Sequence, residues 1–484
     1  MNVLLLIMDS VQAKNTSLHN HSNDTTPFLS ELSDSATTYK QARAPSFFSL
    51  PSHASMFSGL HAVEHGATSK TDSLSHETIF EWLANKGYST GLFSSNVYLS
   101  KDEFGLNKGF SHIFGRNDFL VAKSSTKYPH QNALNPLKYR SGSNGDRNIK
   151  YILKSLGSEQ PLQSILNGVA SKLDGTVFPY GLSEPEPNGS QVLTNDFLKW
   201  HGNQTQNWAA VINFMDTHFP YLPKAEHNLW GNDDLLQYQE KITNPRVDFL
   251  TGEQPWWIAK ALESVYDGTI HQVDQAISRI YSELSRRGDA EDTLIIVTSD
   301  HGEGFGERSR VIPGFRIVGH AAGLHELLTH VPLLVQFPGQ SDSVTINDVA
   351  TIRKIYDLIK QVVDESYTQD ILCPEHVLSF AELTDRTEQL SAENAAGELE
   401  LTDLPRKMYA VYENTDNGVN KYIKSGDSEY LIQIRNTHEA MLFDTQTNNG
   451  LVESVYDDLD YNASDTSTAI SQDTAKHLED LGYL

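Results

Sequence analysis

Residues 2–10 read NVLLLIMDS, an unbroken apolar run that stops at an acidic residue. A continuous run of this kind, without alternating polar residues, is typical of a strand buried on both faces of a parallel sheet. In open α/β sheets, ligands bind beyond the carboxyl ends of the strands. The stretch therefore predicts an α/β fold and places Asp9 at the edge of the sheet where a binding site forms.

Two further apolar runs end in the same way. WAAVINFMD stops at Asp216 and TLIIVTSD stops at Asp300, and a long helical pattern that ends at Gly288 lies between them. The alternation of strands and helices predicts βαβ units and a mainly parallel central sheet flanked by helices. Because parallel strands end at one edge of the sheet, we expect Asp9, Asp216 and Asp300 to converge on a site.

The periodicity and composition of the sequence change in two places. Residues 117–190 show no clean periodicity and many polar residues, which predicts an insertion over or beside the crevice. Beyond about residue 390, short alternating runs such as EYLIQIR predict an antiparallel sheet, followed by a terminal helix. We therefore expect a catalytic α/β domain over 1–390 and a small C-terminal subdomain over 391–484.

Composition restricts the partners. The 484 residues are 38% hydrophobic, enough for a large core, and carry a formal net charge of -26, which argues against nucleic acid as a ligand. Cys373 is the single cysteine, so no intramolecular disulfide forms. No apolar stretch approaches the roughly 20 residues of a membrane span. Because the first strand begins almost at Met1, we expect an acidic cytoplasmic protein; the oligomeric state stays open.

SDHGEGFGE, residues 299–307, places an acid and an imidazole side by side just beyond a buried strand. Asp300 and His301, with Asp9, make a plausible ligand set for Mn²⁺, Mg²⁺ or Zn²⁺, whereas Ca²⁺ prefers oxygen ligands alone. A loop in which the aspartate caps its own backbone would show the same dipeptide. Both interpretations stay open at this point.

SFFSLPSHASMFSG, residues 46–59, carries a serine at every third position. Pro51 suits the first turn of a short helix that stops at Gly59, which places Ser49 at the start of that helix. The positive end of the helix dipole there favours an anionic substrate and a deprotonated nucleophile, although a simple helix cap is the alternative for Ser49. The remaining helical serines are Ser52, Ser55 and Ser58, for which hydrogen bonds to the preceding turn are expected.

Histidines follow two of the strands. MDTHFPY places His218 on a loop stiffened by Pro220, where it is a candidate general acid. GLHELLTHVPLL and the residues before it add His320, His325 and His330, of which at most two are expected to face the crevice. We favour His320 as a catalytic group and expect His330 to be structural.

The ordered set of motifs resembles the sulfatase family of the alkaline phosphatase superfamily. The resemblance runs from VLLLIMDS through SLPSHASMFSG, KGYSTGLFSSN, MDTHFPY and SDHGEGFGE to GLHELLTHVPLLV, and so covers most of the chain. It implies an alkaline-phosphatase-like α/β fold with a smaller C-terminal antiparallel subdomain. It also implies one divalent cation at the crevice and makes Ser49 the nucleophile.

The resemblance also assigns roles where the chain departs from the family pattern. His53 stands where the pattern Cys or Ser, any residue, Pro, any residue, Arg has its arginine, and Ser10 stands where many members carry a second metal-binding acid. SSNVYL replaces a lysine-containing motif, so Asn96 is expected to contact substrate, as is His325. With Asp9, Asp300 and His301, Ser10 completes the implied site for Ca²⁺, Mg²⁺ or Mn²⁺, with Zn²⁺ as an alternative.

Three functions follow. The first is a metal-dependent hydrolase that cleaves small-molecule or saccharide sulfate esters, with Ser49 oxidised to formylglycine. An unmodified Ser49 favours a phosphomonoesterase, phosphodiesterase or phosphotransferase, because a phosphorylated serine is hydrolysed more readily than a sulfated one. The third is a non-catalytic anion-binding protein on the same fold.

Overall fold

The protein is built around an eight-stranded sheet, seen here in a computed structural model. The structure describes residues 1–115, 189–242, 244–312, 314–320, 323–382, 407–444, 450–459, 470–471, 474–475 and 478. The strands are β1 (Asn2–Met8), β2 (Thr37–Arg43), β3 (Ser89–Ser94), β4 (His112–Phe114), β5 (Trp208–Phe214), β6 (Thr293–Thr298), β7 (Gly304–Arg308), β8 (Arg316–Gly319), β9 (Leu333–Gln336), β10 (Val344–Thr351), β11 (Val377–Glu382), β12 (Lys407–Thr415), β13 (Gly418–Ser425), β14 (Ser428–Asn436) and β15 (Glu439–Asp444).

The described helices surround this sheet. They are α1 (Pro27–Leu32), α2 (Ser49–Ser58), α3 (Ala62–His65), α4 (Ile79–Asn85), α5 (Val97–Ser100), α6 (Gly189–His201), α7 (Asp233–Gln239), α8 (Pro245–Leu250), α9 (Trp256–Arg287), α10 (Glu326–Thr329), α11 (Ile355–Val363) and α12 (Leu451–Asp457). Of these described helices, none combines the length and the apolar character that a bilayer span needs.

The large sheet has the strand order β10-β2-β9-β6-β1-β5-β3-β4. β1 lies in the interior of the sheet and pairs in parallel with β5 and β6. β9 is antiparallel to both of its neighbours, β6 and β2, while the other neighbouring pairs are parallel. The predicted mainly parallel central sheet is confirmed.

Alternate residues of β1 enter two different hydrophobic cores. Val3, Leu5 and Ile7 belong to one core, and Leu4, Leu6 and Met8 belong to the other. Successive side chains of a strand point to opposite faces, so each face of the sheet is covered by its own helical layer. The unbroken apolar run of β1 is thereby explained, because both of its faces are removed from water.

The helix predicted from the serine-rich stretch is confirmed. α2 begins at Ser49 and ends at Ser58, and the next residue, Gly59, adopts the left-handed conformation with φ of 74°. A β-carbon at Gly59 would also lie 2.9 Å from Cδ1 of Tyr356. A glycine is therefore required at the end of α2 both for the backbone conformation and for the close approach of α11.

A separate sheet, with strand order β11-β12-β13-β14-β15, is antiparallel throughout. This confirms the predicted C-terminal antiparallel sheet and adds β11, which precedes the proposed division at residue 390. That division falls between Glu382 and Lys407, outside the described residues. The insertion proposed for 117–190 also lies outside them, apart from its last two residues, as does most of the expected terminal helix.

Candidate active site

Asp9, Asp300 and His301 form a buried cluster at the carboxyl edge of the large sheet. Their ligand atoms all lie within 4.8 Å of one another, which is a spacing that a metal ion can bridge. The cluster forms because β1 and β6 are parallel neighbours, with Ile7 paired to Thr298, so the segments that follow the two strands lie side by side. The expected convergence of strand-end acids is therefore correct for Asp9 and Asp300.

The third strand-end acid, Asp216, is not part of this cluster. Its Oδ1 accepts hydrogen bonds from the backbone N–H of Ser190, at 3.0 Å, and from the side-chain amide of Gln272, at 2.8 Å. These contacts tie the segment after β5 to α6 and α9. The expectation that all three acids meet in one site is wrong for Asp216, because this carboxylate is held by those two helices.

The carboxylate of Asp9 is oriented by three side chains. Asn96 and Asn213 each donate from Nδ2 to Oδ2 of Asp9 at 3.0 Å. The hydroxyl of Ser10 donates to Oδ1 at 3.0 Å. The predicted substrate contact Asn96 and the predicted metal ligand Ser10 thus both bind Asp9 in this structure, while their proposed roles stay predictions.

The two carboxylate oxygens of Asp300 differ in their hydrogen bonding. Its Oδ1 accepts the backbone N–H groups of Ser10, at 3.1 Å, and of His301, at 3.0 Å. Its Oδ2 accepts no hydrogen bond from the described residues, although Nε2 of His301 and Nδ1 of His53 lie 3.4 and 3.6 Å from it. A fully buried carboxylate oxygen in this state fits a cation ligand, since a bound cation would offset its burial.

His301 presents the ring nitrogen that a metal requires. Its Nδ1 lies 2.9 Å from the carbonyl oxygen of Gly302, so Nδ1 carries the proton and Nε2 is left as the acceptor. Burial lowers the pKa of His301 to about 4, against the opposing charge of Asp9. The imidazole is therefore neutral at neutral pH, which is the form that binds a metal ion.

Ser49 lies beside the cluster. Its Oγ is 3.4 Å from Nε2 of His301, and it is the first residue of α2, at the positive end of the helix dipole. One turn later, Nδ1 of His53 lies 2.8 Å from the carbonyl oxygen of Ser49. The candidate nucleophile and the residue in the arginine position of the motif are thus both buried next to Asp300.

His218 and His320 lie near His301. The ring of His320 is 4.6 Å from that of His301 and 5.1 Å from that of His218. Nδ1 of His320 is 3.5 Å from Oε1 of the buried Glu303, whose pKa is raised by burial to about 8. Nδ1 of His218 is 2.7 Å from the carbonyl oxygen of Phe219, so Nε2 is its exchangeable position.

The remaining two histidines have clear positions. His325 precedes α10, where its carbonyl oxygen accepts the backbone N–H of Leu328 at 2.8 Å. The predicted contact between His325 and substrate stays a prediction. His330 is buried, and its Nε2 lies 3.0 Å from the carbonyl oxygen of Lys40. This contact agrees with the structural role expected for His330.

Two residues that stabilise the Asp9 loop were not expected from the sequence. The hydroxyl of Thr217 donates to the carbonyl oxygen of Asp9 at 2.6 Å. The hydroxyl of Tyr266, on α9, donates to the carbonyl oxygen of Ser10 at 2.8 Å. Neither stands out in its stretch, whereas Asn213 could have been noticed as the polar residue of an otherwise apolar strand.

The C-terminal sheet is connected to the cluster by hydrogen bonds. Lys421, on β13, donates to the carbonyl oxygen of Leu324 at 2.7 Å and to Oε1 of Glu326 at 2.9 Å. Glu326 begins α10, and the carbonyl oxygen of Leu328 within α10 accepts the backbone N–H of Gly302 at 2.8 Å. One continuous set of hydrogen bonds therefore links β13 to the loop that carries His301.

The fold and the buried cluster define an alkaline-phosphatase-like α/β protein whose site lies at the carboxyl edge of the sheet. The Sulfatase family model matches residues 1–367. The chain therefore belongs to the sulfatase family.

Relatives in this family are distant. Arylsulfatase K of Bos taurus is 22% identical over 378 residues, which are 76% of this chain and 64% of the relative. The extracellular sulfatase SULF-1 homolog of Drosophila melanogaster is 23% identical over 359 residues, which are 72% of this chain and 28% of the relative. The chain thus spans less than two thirds of the length of these relatives.

Solved structures share the fold at low identity. The phosphonate monoester hydrolase of Agrobacterium radiobacter is 17% identical, with a TM-score of 0.58, and covers 92% of this chain and 89% of its own. The phosphonate monoester hydrolase SpPMH of Silicibacter pomeroyi is also 17% identical, with a TM-score of 0.56, and covers 92% and 88%. The likeness establishes a common fold.

Proposed function

We propose that this chain is a metal-dependent hydrolase of sulfate or phosphate esters in which Ser49 is the nucleophile. The observation that carries the proposal is the position of Ser49 Oγ, 3.4 Å from His301 and beside the buried cluster of Asp9, Asp300 and His301. Membership of the sulfatase family supports the same chemistry. The expected substrate is a small-molecule or saccharide ester.

One divalent cation would be held by Asp9, Asp300 and His301. The set fits a cation because all three groups are buried and Oδ2 of Asp300 accepts no hydrogen bond from the described residues. Two carboxylates and a neutral imidazole suit Mg²⁺, Mn²⁺ or Zn²⁺, and further oxygen ligands would admit Ca²⁺. When bound, the cation supplies a lowered pKa at the nucleophile and neutralises the charge of the ester.

Each side chain has a separate role in the proposed reaction. Ser49 releases its hydroxyl proton to solvent and its Oγ attacks the sulfur or phosphorus atom, while the bond to the alcohol oxygen breaks. His218, protonated at Nε2, gives its proton to the departing alcohol, and His320 donates a hydrogen bond to the transferred group. Water then cleaves the covalent ester at residue 49, which releases inorganic sulfate or phosphate and restores the nucleophile.

The state of Ser49 separates two chemistries. A formylglycine at this position forms a hydrate whose sulfate ester can break down to the aldehyde, which favours sulfate esters. An unmodified serine lacks this exit and favours phosphate esters. His53, buried in the arginine position of the motif and bonded to the carbonyl oxygen of Ser49, favours the unmodified residue as a second candidate.

The test pairs an aryl sulfate with an aryl phosphate, each assayed with and without a chelator. We expect turnover of at least one ester that is lost with the chelator and restored by a divalent cation. Peptide mass spectrometry then decides the chemistry, because formylglycine has two hydrogens fewer than serine. Metal-independent turnover would contradict the proposal. Unchanged ligand binding by Ser49→Ala, with no turnover by the wild type, would favour the anion-binding protein.

A further inference from the structure

The loop after β1 contains a residue in a strained backbone conformation. Ser10 has a φ of 64°, in the left-handed region that residues with a β-carbon rarely adopt. Among the described non-glycine residues, Asn20 and Glu365 share this feature, but both are exposed whereas Ser10 is completely buried. Such a conformation persists only where the surrounding structure enforces it, and it is typical of functional sites.

In this conformation Ser10 contacts both of the proposed acidic ligands. Its backbone N–H donates to Oδ1 of Asp300 at 3.1 Å, and its hydroxyl donates to Oδ1 of Asp9 at 3.0 Å. The φ angle fixes the direction of the N–H group relative to the side chain. A return of Ser10 to an ordinary negative φ would therefore break at least one of the two bonds and change the spacing of the carboxylates.

The hydroxyl of Tyr266 binds the chain on both sides of this loop. It donates to the carbonyl oxygen of Ser10 at 2.8 Å and accepts the backbone N–H of Gln12 at 3.0 Å. All three residues are at most 1% exposed, so water cannot replace these bonds in the folded protein. Without the hydroxyl, a buried carbonyl and a buried N–H would each lose a partner. The loop would then regain partners only by leaving its present conformation.

We infer that Tyr266 is a positioning residue that holds Ser10 in its left-handed conformation and so keeps Asp9 and Asp300 arranged for the cation. The inference rests on the proposed function, because it takes these two acids as cation ligands. A chain that leaves this conformation part of the time binds the cation more weakly, in proportion to the fraction of molecules that remain competent. Because Tyr266 acts through the backbone of the loop, saturating cation should restore the reaction.

The experiment measures the affinity for Mn²⁺ by calorimetry and the hydrolysis rate as a function of Mn²⁺ concentration. Tyr266→Phe removes both hydrogen bonds but keeps the ring, which packs against Tyr221 and Phe305. We expect its dissociation constant for Mn²⁺ to rise roughly 10-fold to 100-fold. The value of kcat at saturating Mn²⁺ should return to near that of the wild type.

Tyr281→Phe is the matched control, because it removes a hydroxyl from the same helix, α9, at a distance from the loop. That hydroxyl lies 3.3 Å from Nε2 of Gln336, which belongs to β9. The dissociation constant of this variant for Mn²⁺ should equal that of the wild type.

Two substitutions of Ser10 test the strain itself. Ser10→Ala and Ser10→Gly both lack the hydroxyl, so any contribution of that group to cation binding cancels, but only glycine adopts the left-handed conformation readily. Adding Tyr266→Phe should raise the Mn²⁺ dissociation constant roughly 10-fold in the Ser10→Ala chain and about threefold or less in the Ser10→Gly chain. A general loss of stability would affect both chains alike.

Urea unfolding of the two Ser10 variants provides a measurement that does not depend on the folding of Tyr266→Phe. Ser10→Gly should unfold at a higher urea concentration than Ser10→Ala, although glycine usually lowers stability. The reverse order would show that Ser10 is not strained and would overturn the inference.

The cation measurements can also overturn the inference. An unchanged Mn²⁺ affinity in Tyr266→Phe, or an equal loss in the two Ser10 chains, would show that Tyr266 does not hold Ser10. A kcat that stays low at saturating Mn²⁺ would show that Tyr266 does not act through cation binding. Each of these results leaves the proposed function standing, whereas a wild type that binds no divalent cation would overturn the proposed function and the inference together.

Discussion

The hydroxyl oxygen of Ser49 lies 3.4 Å from Nε2 of His301, although the two residues are 252 positions apart in the chain. The contact joins the first residue of α2 to the loop after β6. The proposed nucleophile and a proposed metal ligand are therefore buried next to each other. Loss of Ser49 should stop the reaction while cation binding persists, whereas loss of a metal ligand should stop the reaction by weakening cation binding.

Ser49→Ala should lower kcat by roughly 10⁴-fold or more, because no other group can form the covalent ester. Metal binding should persist, since Asp9, Asp300 and His301 are unchanged. Steady-state kinetics together with metal analysis of the same sample measures both quantities. Ser58→Ala is the control, because the Ser58 hydroxyl donates to the carbonyl oxygen of Ala54 within α2. Equal activity of the two variants would show that the nucleophile is misplaced.

Asp300→Asn should weaken cation binding. In the wild type, a cation at 100 times its dissociation constant should stabilise the fold by about 2.7 kcal/mol, and the variant should lose most of this increment. Thermal unfolding with and without added cation provides the measurement. Asp216→Asn is the matched control, as its carboxylate is bonded to Ser190 and Gln272. A similar loss in both variants would contradict the assigned ligand set.

Asn213→Ala should reduce metal affinity by roughly 10-fold to 100-fold, because Asp9 Oδ2 would lose one of its two amide donors. Activity at saturating cation should recover toward the wild-type value, which separates a positioning effect from a defect in chemistry. Titration of activity against cation concentration measures both parameters. An unchanged cation requirement would show that Asn96 alone suffices to orient Asp9.

His65 should make the fold sensitive to acid. Its Nδ1 accepts the backbone N–H of Ala67 and its Nε2 contacts Ser55, while burial lowers the pKa of His65 to about 3. Between that value and the unfolded pKa near 6.5, the unfolded chain binds the extra proton, so stability is complete above about pH 6.5 and falls as the pH falls.

At pH 5 the loss assigned to His65 is about 2 kcal/mol. His65→Gln should lose that much less than the wild type between pH 7.5 and pH 5, as measured by urea unfolding. Other buried histidines remain in both proteins, so the difference isolates this side chain. An equal loss of unfolding free energy in the two proteins would mean that His65 is already charged in the folded wild type at pH 5.

Lys421→Met should destabilise the protein by about 3 kcal/mol, because it breaks a buried ion pair. Burial acts to raise the pKa of Glu326, but Arg43 and Lys421 together hold it below its usual value. Lys424→Met, on the same strand, removes a solvent-exposed ion pair with Glu453 and should lower the free energy of unfolding by less than about 1 kcal/mol. Urea unfolding of both variants tests the contrast, and equal costs would contradict it.

The sequence was informative where a residue marks the end of an element. Asp9 and Asp300 follow apolar strands, Pro51 lies in the first turn of α2 and Gly59 follows its last residue, so the positions of the acids and of Ser49 followed from local rules. Asp216 follows the same rule, yet it faces α6 and α9. The direction in which a strand-end carboxylate turns depends on which donors the neighbouring helices present.

Contacts between distant segments were beyond these local rules. Tyr266 belongs to a helix whose pattern is explained by burial alone, and its bond to Ser10 spans 256 positions. Arg246 lies in a polar stretch of ordinary composition, and only the folded chain brings it near Glu303 and Gly319. A contact between two distant segments depends on the folded chain, so neither segment shows a periodic pattern that predicts it.

β9 runs antiparallel to both of its neighbours, so it enters the large sheet at the edge where they leave it, and its first residue, Leu333, pairs with Thr298 at the end of β6. The edge of the sheet that carries the candidate active site therefore receives an incoming segment, residues 323–332, beside the outgoing loops of β1, β5 and β6. Lys421 holds that incoming segment from the C-terminal sheet. We therefore expect substitutions in β13 to alter the geometry of the candidate active site without any change in the loops that bear its acids.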